Sequence, residues 1–198
     1  MRVIDHDFYA RPTLIVAREL LGQHLVREID GQRLSGRIVE TEAYIGPDDS
    51  ASHASKGRTA RTGVMFGPPG RAYVYLIYGM HSMLNLVTEP EDFPAAVLIR
   101  ALEPVAGVET MRARRRPGID RITGLTNGPG KLCQALAIDS GLHAWDVTLG
   151  RKLWLEPAEA IPDSAVATGS RIGVDYAQPA DRHAPWRFWV RDNRFVSR

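Results

Sequence analysis

Residues 36–53, GRIVETEAYIGPDDSASH, bring two glutamates, a tyrosine and a histidine together on one expected strand and the loop that leaves it. Strand side chains alternate faces with a period of two. Ile38, Glu40, Glu42 and Tyr44 are therefore expected on one face, and the small apolar set Val39, Thr41 and Ala43 on the other, toward a core. Two carboxylates and an aromatic ring held close in dry surroundings raise the pKa of at least one acid. Such an acid is a general base poised beside a stacking surface. The same segment also reads, without chemistry, as an exposed strand whose glutamates only solubilise an edge.

The run YVYLIYG is the second place where residue types suggest a task. Tyr73, Tyr75 and Ile77 fall on one strand face and Val74, Leu76 and Tyr78 on the other, so Tyr75 and Tyr78 point differently unless the strand bends at Gly79. One tyrosine can line a pocket on the Glu42 side. The other can project from the strand end, where an aromatic wedge could enter a base stack. The plainer reading is that tyrosines favour strands and cover a sheet.

The elements that must position these residues follow from pattern. Residues 12–21 place Leu14, Ile15, Ala17, Leu20 and Leu21 at helical spacing before Gly22, an amphipathic helix with a glycine stop. Strands over 24–29 and 33–44 flank Asp30-Gly31, a hairpin signal. Residues 48–70 read as a long functional loop. Strands are expected over 72–78, 83–88 and 95–102, and a helix over 104–115 that begins with a proline in its first turn. A short helix over 129–138 and strands over 153–155 and 187–190 complete an α+β domain with a mainly antiparallel sheet and flanking helices.

Composition narrows the function classes. A chain of 198 residues, 44% hydrophobic and without low-complexity tracts, is expected to form one compact domain over residues 1–198. Neither an apolar run of membrane-spanning length nor an apolar signal core is present, so the expectation is a soluble intracellular protein. The single cysteine, Cys133, has no disulfide partner and suits the buried face of a helix. The histidines show no metal-ligand spacing, so no metal or other cofactor is expected.

Net charge is only +2, too small to announce a nucleic-acid binder, but its distribution is uneven. Of 25 basic residues only Lys56, Lys131 and Lys152 are lysines, and arginines cluster at Arg58, Arg61 and Arg71 and again at Arg112, Arg114, Arg115 and Arg116. Guanidinium forks suit phosphate oxygens. A GC-rich genome would also enrich arginine with no functional reason.

Taken together, ETEAYIGPDDSASHASKGRTART, VMFGPPGRAYVYLIYGMHSMLN, VLIRALEP, NGPGKLCQAL and PWRFWV…FVSR resemble the alkyladenine (3-methyladenine) DNA glycosylases in a bacterial-looking form. The resemblance runs from about residue 17 to residue 198. It implies a monofunctional enzyme of base excision repair that flips alkylated or deaminated purines out of damaged double-stranded DNA, acts as a monomer, and works in the cytoplasm at the nucleoid. The lesions implied are 3-methyladenine, 7-methylguanine, hypoxanthine and ethenoadenine. Glu42 would activate the hydrolytic water, with Glu40 as runner-up; Arg100 would help hold that water and Ile172 would contribute its main-chain carbonyl. Tyr44, His53 and Tyr75 would sandwich the flipped base, Asn85 would discriminate against a guanine amino group, and Tyr78 would fill the vacated stack. Arg58, Arg61 and Lys131 would contact the DNA backbone.

These roles make chemical sense. A stacked base cannot expose its glycosidic carbon, so it must leave the duplex at a cost of a few kcal/mol, and each base–aromatic contact returns ~1–3 kcal/mol. The cleavage has an oxocarbenium-like transition state that a carboxylate can stabilise. No lysine neighbours Glu42 in sequence, so strand cleavage through a Schiff base is not expected. Two other readings remain at this point. One is a carboxylate hydrolase of free nucleosides, the other a non-catalytic protein that recognises damaged DNA. The stretch TART at 59–62 lacks the Pro and Asn common in this family loop, and VDYAQPADRHAPW departs from the family pattern too.

Overall fold

Asp30 and Gly31, with φ of 52° and 71°, make the tight turn expected between β1 (His24–Ile29) and β2 (Gln32–Ile45). A two-residue hairpin of the right twist needs both central residues left-handed. The computed structural model describes residues 2–115 and 121–197. Arg116 of the second arginine cluster, and Arg198, lie outside the described residues.

Strand β2 is the spine of the molecule. Its first half pairs with β1, and most of its length pairs on the other side with β5 (Ala95–Ala106). Beyond Arg37, β8 (Arg187–Val190) takes the β2 edge that β1 leaves, pairing with Glu40, Thr41 and Glu42. The sheet continues from β5 to β4 (His81–Val87) and β3 (Ala72–Ile77), and from β1 to β6 (Leu153–Glu156), while β7 (Val166–Gly169) pairs with β8. Every pairing is antiparallel. This curved sheet with its helices is the α+β single domain expected from the sequence.

The two faces of the sheet have different tasks. Ala43, Val97, Leu86 and Val74 belong to the main apolar core. That core also takes Val16 and Ala17 from α2 (Thr13–Glu19), Met111 from α3 (Val108–Arg114), and Leu132, Cys133 and Ala135 from α4 (Pro129–Ala135). Two shorter helices, α1 (His6–Tyr9) and α5 (Pro179–His183), complete the set. The opposite face, through Tyr44, Leu98, Asn85 and Tyr73, lines a cleft. No helix among the described residues is long and apolar enough to cross a membrane.

Three local expectations are corrected. First, Leu14 and Ile15 are 36% and 45% exposed; Ala17, Leu20 and Leu21 are buried as expected, and Val16 takes the inward place of the other two. Second, no helix begins at Pro104. Strand β5 runs through it to Ala106, with Pro104 opposite Gly36 at a register shift where a missing N–H is tolerated. Gly107, at φ 74°, then turns the chain into α3; a Cβ there would lie 2.2 Å from Leu34 Cδ2. Third, the alternation of β2 is broken. The register passes from Ile38↔Leu102 to Glu40↔Ala101 and then to Thr41↔Ile99, so Val39 and Arg100 are each unpaired extra residues. Such irregularities re-aim side chains. Ile38 joins the main core, parted from the Glu40–Glu42 face, while Val39 packs with Ala101 and Phe195. Neither face of the segment is an exposed edge: residues 38–43 are all buried.

Candidate active site

The paired register shifts set Arg100 against both glutamates. Its Nε donates to Glu40 Oε1 at 3.1 Å and its Nη1 to Glu42 Oε2 at 3.1 Å. Both carboxylates are fully buried, but their surroundings differ. Glu40 also accepts from the main-chain N–H of Ser197 at 2.7 Å and its hydroxyl at 2.9 Å, and Arg187 Nη1 lies 3.4 Å away. With four donors around it, Glu40 is a structural anchor.

Glu42 accepts the Ile172 N–H on Oε1 at 2.7 Å, and the Tyr44 hydroxyl on Oε2 at 2.9 Å beside Arg100. A carboxylate has about four lone-pair directions, so three donors leave room for one more partner. Burial pushes the Glu42 carboxyl above its usual range, opposed by Arg100, the Ile172 N–H and the Tyr44 hydroxyl and helped by Glu40. Burial works against the charge on Arg100, yet the two glutamates outweigh it and hold its pKa up. Tyr44 is held protonated, by burial first and by Glu42 next, so it donates to the carboxylate.

Above this cluster lies a cleft of about 690 Å³ whose lining includes Tyr44, His53, Tyr75, Asn85, Arg100 and Ile172. Glu42 lies directly behind that lining, opposite Leu98 in the β2–β5 register. The expected site residues are thus brought together from β2, the loop after it, β3, β4, β5 and the segment after β7. His53 and Tyr75 meet edge to face, their centroids 4.6 Å apart at 77°, and form one wall. Tyr44 supplies another part of the lining. Asn85, which is buried, donates from Nδ2 to the Tyr73 carbonyl at 3.0 Å and also lines the cleft.

Two supporting residues escaped the sequence reading. Tyr73 shares a face with Tyr75, and its hydroxyl lies 2.9 Å from His53 Nδ1; strand alternation was the signal for it. Arg171 forms a fully buried two-pronged pair with Asp49, at 2.6 and 2.8 Å. Its guanidinium lies 4.7 Å from the Tyr44 ring centroid and 4.9 Å from that of Trp186. Arg171 therefore braces the ring of Tyr44. Nothing local in SRIGV announces a partner so distant in sequence.

Tyr78 stands at the tip of the β3–β4 hairpin, 85% exposed, with a left-handed φ of 53° next to Gly79. That backbone is uncommon for a bulky residue and is worth attention as a functional feature. It lies at the rim of the cleft, whereas Tyr75 is inside it. Among the basic candidates, Arg58 is exposed and pairs with Asp92 at 2.6 Å, and Lys131, at the start of α4, donates to Asn127 at 2.8 Å. Arg61 sits 4.9 Å from the Tyr75 ring centroid and 3.4 Å from His53 Nε2. Burial, then Arg61 and Lys56, lower the His53 pKa to about 4. Its imidazole is neutral at physiological pH. Among the described residues there is no group of three or more His, Cys, Asp or Glu arranged to hold a metal ion.

Residues 7–194 match the family model described as methylpurine-DNA glycosylase. The chain is 52% identical over 198 residues to a protein of Methanocella arvoryzae, covering all of this chain and 97% of that one. It is 49% identical over 205 residues to one of Desulfitobacterium hafniense, covering all of this chain and 99% of the relative, and 52% identical over 198 residues to one of Myxococcus xanthus, covering all of this chain and 95% of it. All three carry the name "Putative 3-methyladenine DNA glycosylase".

Proposed function

Since the chain belongs to the methylpurine-DNA glycosylase family, and is therefore a DNA glycosylase of base excision repair, we propose that it acts as a monomer on damaged duplex DNA and hydrolyses the N-glycosidic bond of a flipped purine with a water activated by Glu42. The observation that carries this reading is the position of Glu42: a buried carboxyl, held by Arg100, Tyr44 and Ile172, directly under an aromatic cleft.

Flipping presents the base to the cleft with Tyr44 on one side and the His53–Tyr75 wall on the other. The sugar then faces Arg100 and Ile172, and a water between them and Glu42 is placed to attack the anomeric carbon. The Ile172 carbonyl would accept a hydrogen bond from that water, while its N–H fixes the carboxylate. As the glycosidic bond lengthens, positive charge grows on the sugar and ionised Glu42 stabilises it while accepting the water proton. A cationic alkylated purine leaves as the neutral base, a neutral purine such as hypoxanthine leaves with a proton taken up from solvent, and an abasic site remains. Stacking on electron-rich rings favours the cationic lesions 3-methyladenine and 7-methylguanine, whereas neutral lesions such as hypoxanthine and ethenoadenine are selected by hydrogen bonding, with Asn85 set against the guanine 2-amino group. Arg58, Arg61 and Lys131 are the proposed backbone contacts, and the substrate places the enzyme at the cytoplasmic nucleoid.

The exposed tyrosine at the cleft rim favours duplex DNA over a free nucleoside, which would need no wedge. Base release from lesion-bearing duplexes and from the matching free nucleosides, each with and without EDTA, tests the reading. Release from duplex alone, unchanged by EDTA, is expected. Comparable turnover of free nucleosides, or activity that returns only with a divalent ion, would overturn it.

A further inference from the structure

The register shift that re-aims Val39 has a consequence at the far end of the chain. Val39 and Ala101 flank Glu40 and Arg100 and form a small apolar cluster with Phe195, which is 2% exposed. Phe195 is further fixed by Asn193, whose side chain accepts the Phe195 N–H at 2.9 Å and donates to Glu103 at 3.2 Å. Two residues on, Ser197 arrives at Glu40, giving its N–H to Oε2 and its hydroxyl to Oε1. The same hydroxyl oxygen lies 3.3 Å from Arg100 Nη2. A chain of contacts thus runs from Ser197 through Glu40 and Arg100 to Glu42.

We propose that Ser197 is a positioning residue for base excision: it fixes Glu40, and Glu40 fixes the Arg100 guanidinium across Glu42. Ser197 is not itself part of the cleft lining and meets that lining only through Arg100. Its effect passes through Arg100, which has one prong on each glutamate. Without the Ser197 hydroxyl, Glu40 Oε1 and Arg100 Nη2 each lose a partner, and a long arginine side chain released at one end no longer stays in one geometry. The proposal rests on Glu42 being the base.

The consequence is readable in pH dependence, because Arg100 is the strongest of the groups that keep Glu42 ionised. The charged and titratable groups around this centre are Glu40 and Tyr44 from β2, Arg100 from β5 and Arg187 from β8. Arg171 and Tyr176 face it from the segment after β7, and Tyr75 from β3. Loosening Arg100 raises the Glu42 pKa, and the acid limb of the rate profile moves to higher pH.

The experiment compares the wild-type chain with Ser197→Ala, Ser197→Thr and Glu42→Gln, using single-turnover release of hypoxanthine from a deoxyinosine duplex between about pH 5 and pH 9, with lesion affinity measured in parallel. Ser197→Ala is expected to move the acid limb upward by about one pH unit, a roughly tenfold slower rate below the limb that recovers above it, with lesion affinity changed less than about twofold. Ser197→Thr keeps a hydroxyl and is expected to restore the wild-type profile. A Ser197→Ala profile identical to wild type, or one lowered equally at every pH together with lesion affinity, would overturn the proposal. Glu42→Gln separates the two levels. If it still excises, the reading of Glu42 as base fails; if it is inactive while Ser197→Ala matches wild type, only the role of Ser197 fails.

Discussion

The hydroxyl of Tyr44 donates to Glu42 Oε2 at 2.9 Å, so a tyrosine of the cleft lining and the buried carboxylate, two residues apart on one strand, are mechanically joined. Tyr44→Phe keeps the ring and removes a donor to a charged group, an interaction worth ~1.5–3 kcal/mol. Excision is expected to slow by roughly 10–100-fold with little change in lesion affinity. Tyr44→Ala removes the ring as well, and lesion affinity falls by the ~1–3 kcal/mol of one base–aromatic contact, in duplex and unpaired substrates alike. Single-turnover rates and anisotropy titrations check both. Equal affinity losses for the two variants would show that the ring does not stack on the base.

Tyr78 differs from Tyr44 in needing a duplex to matter. Placed on a left-handed residue at a hairpin tip, its ring is free to fill the gap that a flipped base leaves. Tyr78→Ala is expected to weaken capture of a duplex lesion by roughly 10-fold or more, since unstacking costs a few kcal/mol, and to have little effect in a bulge or single strand. Equal losses in both contexts would exclude a wedge.

The Asp49–Arg171 pair is a test of stability. Both side chains have no solvent exposure, and Asp49 also accepts the N–H groups of Ile45 and Ala51. Arg171→Met leaves a buried carboxylate without its counter-charge, which typically costs ~3–5 kcal/mol. A matching loss in denaturant unfolding is expected, together with weaker lesion binding because Tyr44 loses its brace. A loss under about 1 kcal/mol would contradict the burial of the pair.

His53 gives the pH dependence of the cleft. With its pKa lowered to about 4 by burial, Arg61 and Lys56, it contributes stability that is complete above its unfolded value and is lost as pH falls toward 4. An NMR titration of the His53 ring should show a midpoint near 4, shifted upward in Arg61→Ala. A midpoint at the ordinary histidine value of about 6.5 would contradict this.

Local pattern made part of this structure legible. Asp30-Gly31 dictates its hairpin, because the turn depends on neighbours a few residues away, whereas β3 ends at Ile77 and the left-handed turn at Tyr78, rather than strand alternation, sets that ring at the cleft rim. The register shifts at Val39 and Arg100 were not legible, since they are settled by pairing between strands that lie far apart in the chain. They overturned the simple two-face reading of β2. Pro104 misled for a related reason: it resembles the first turn of a helix, and only its place opposite Gly36 allows a strand to pass through it. Arg171 with Asp49, and Ser197 with Glu40, are separated by 122 and 157 residues and leave no periodic trace.

The most direct measurement is single-turnover excision by Glu42→Gln on a deoxyinosine duplex, with lesion binding followed on the same preparation. The amide cannot take a proton from water, nor can it accept on both oxygens from Ile172 on one side and Arg100 and Tyr44 on the other. Some loss of stability, ~1–3 kcal/mol, accompanies the change, so circular dichroism must first show a folded variant. Excision is expected to fall by at least ~10²–10⁴-fold, the usual contribution of a general base, while the folded protein still binds the lesion. Base release within about tenfold of wild type, a barrier change of only ~1.4 kcal/mol, would contradict the assignment of Glu42 as the base.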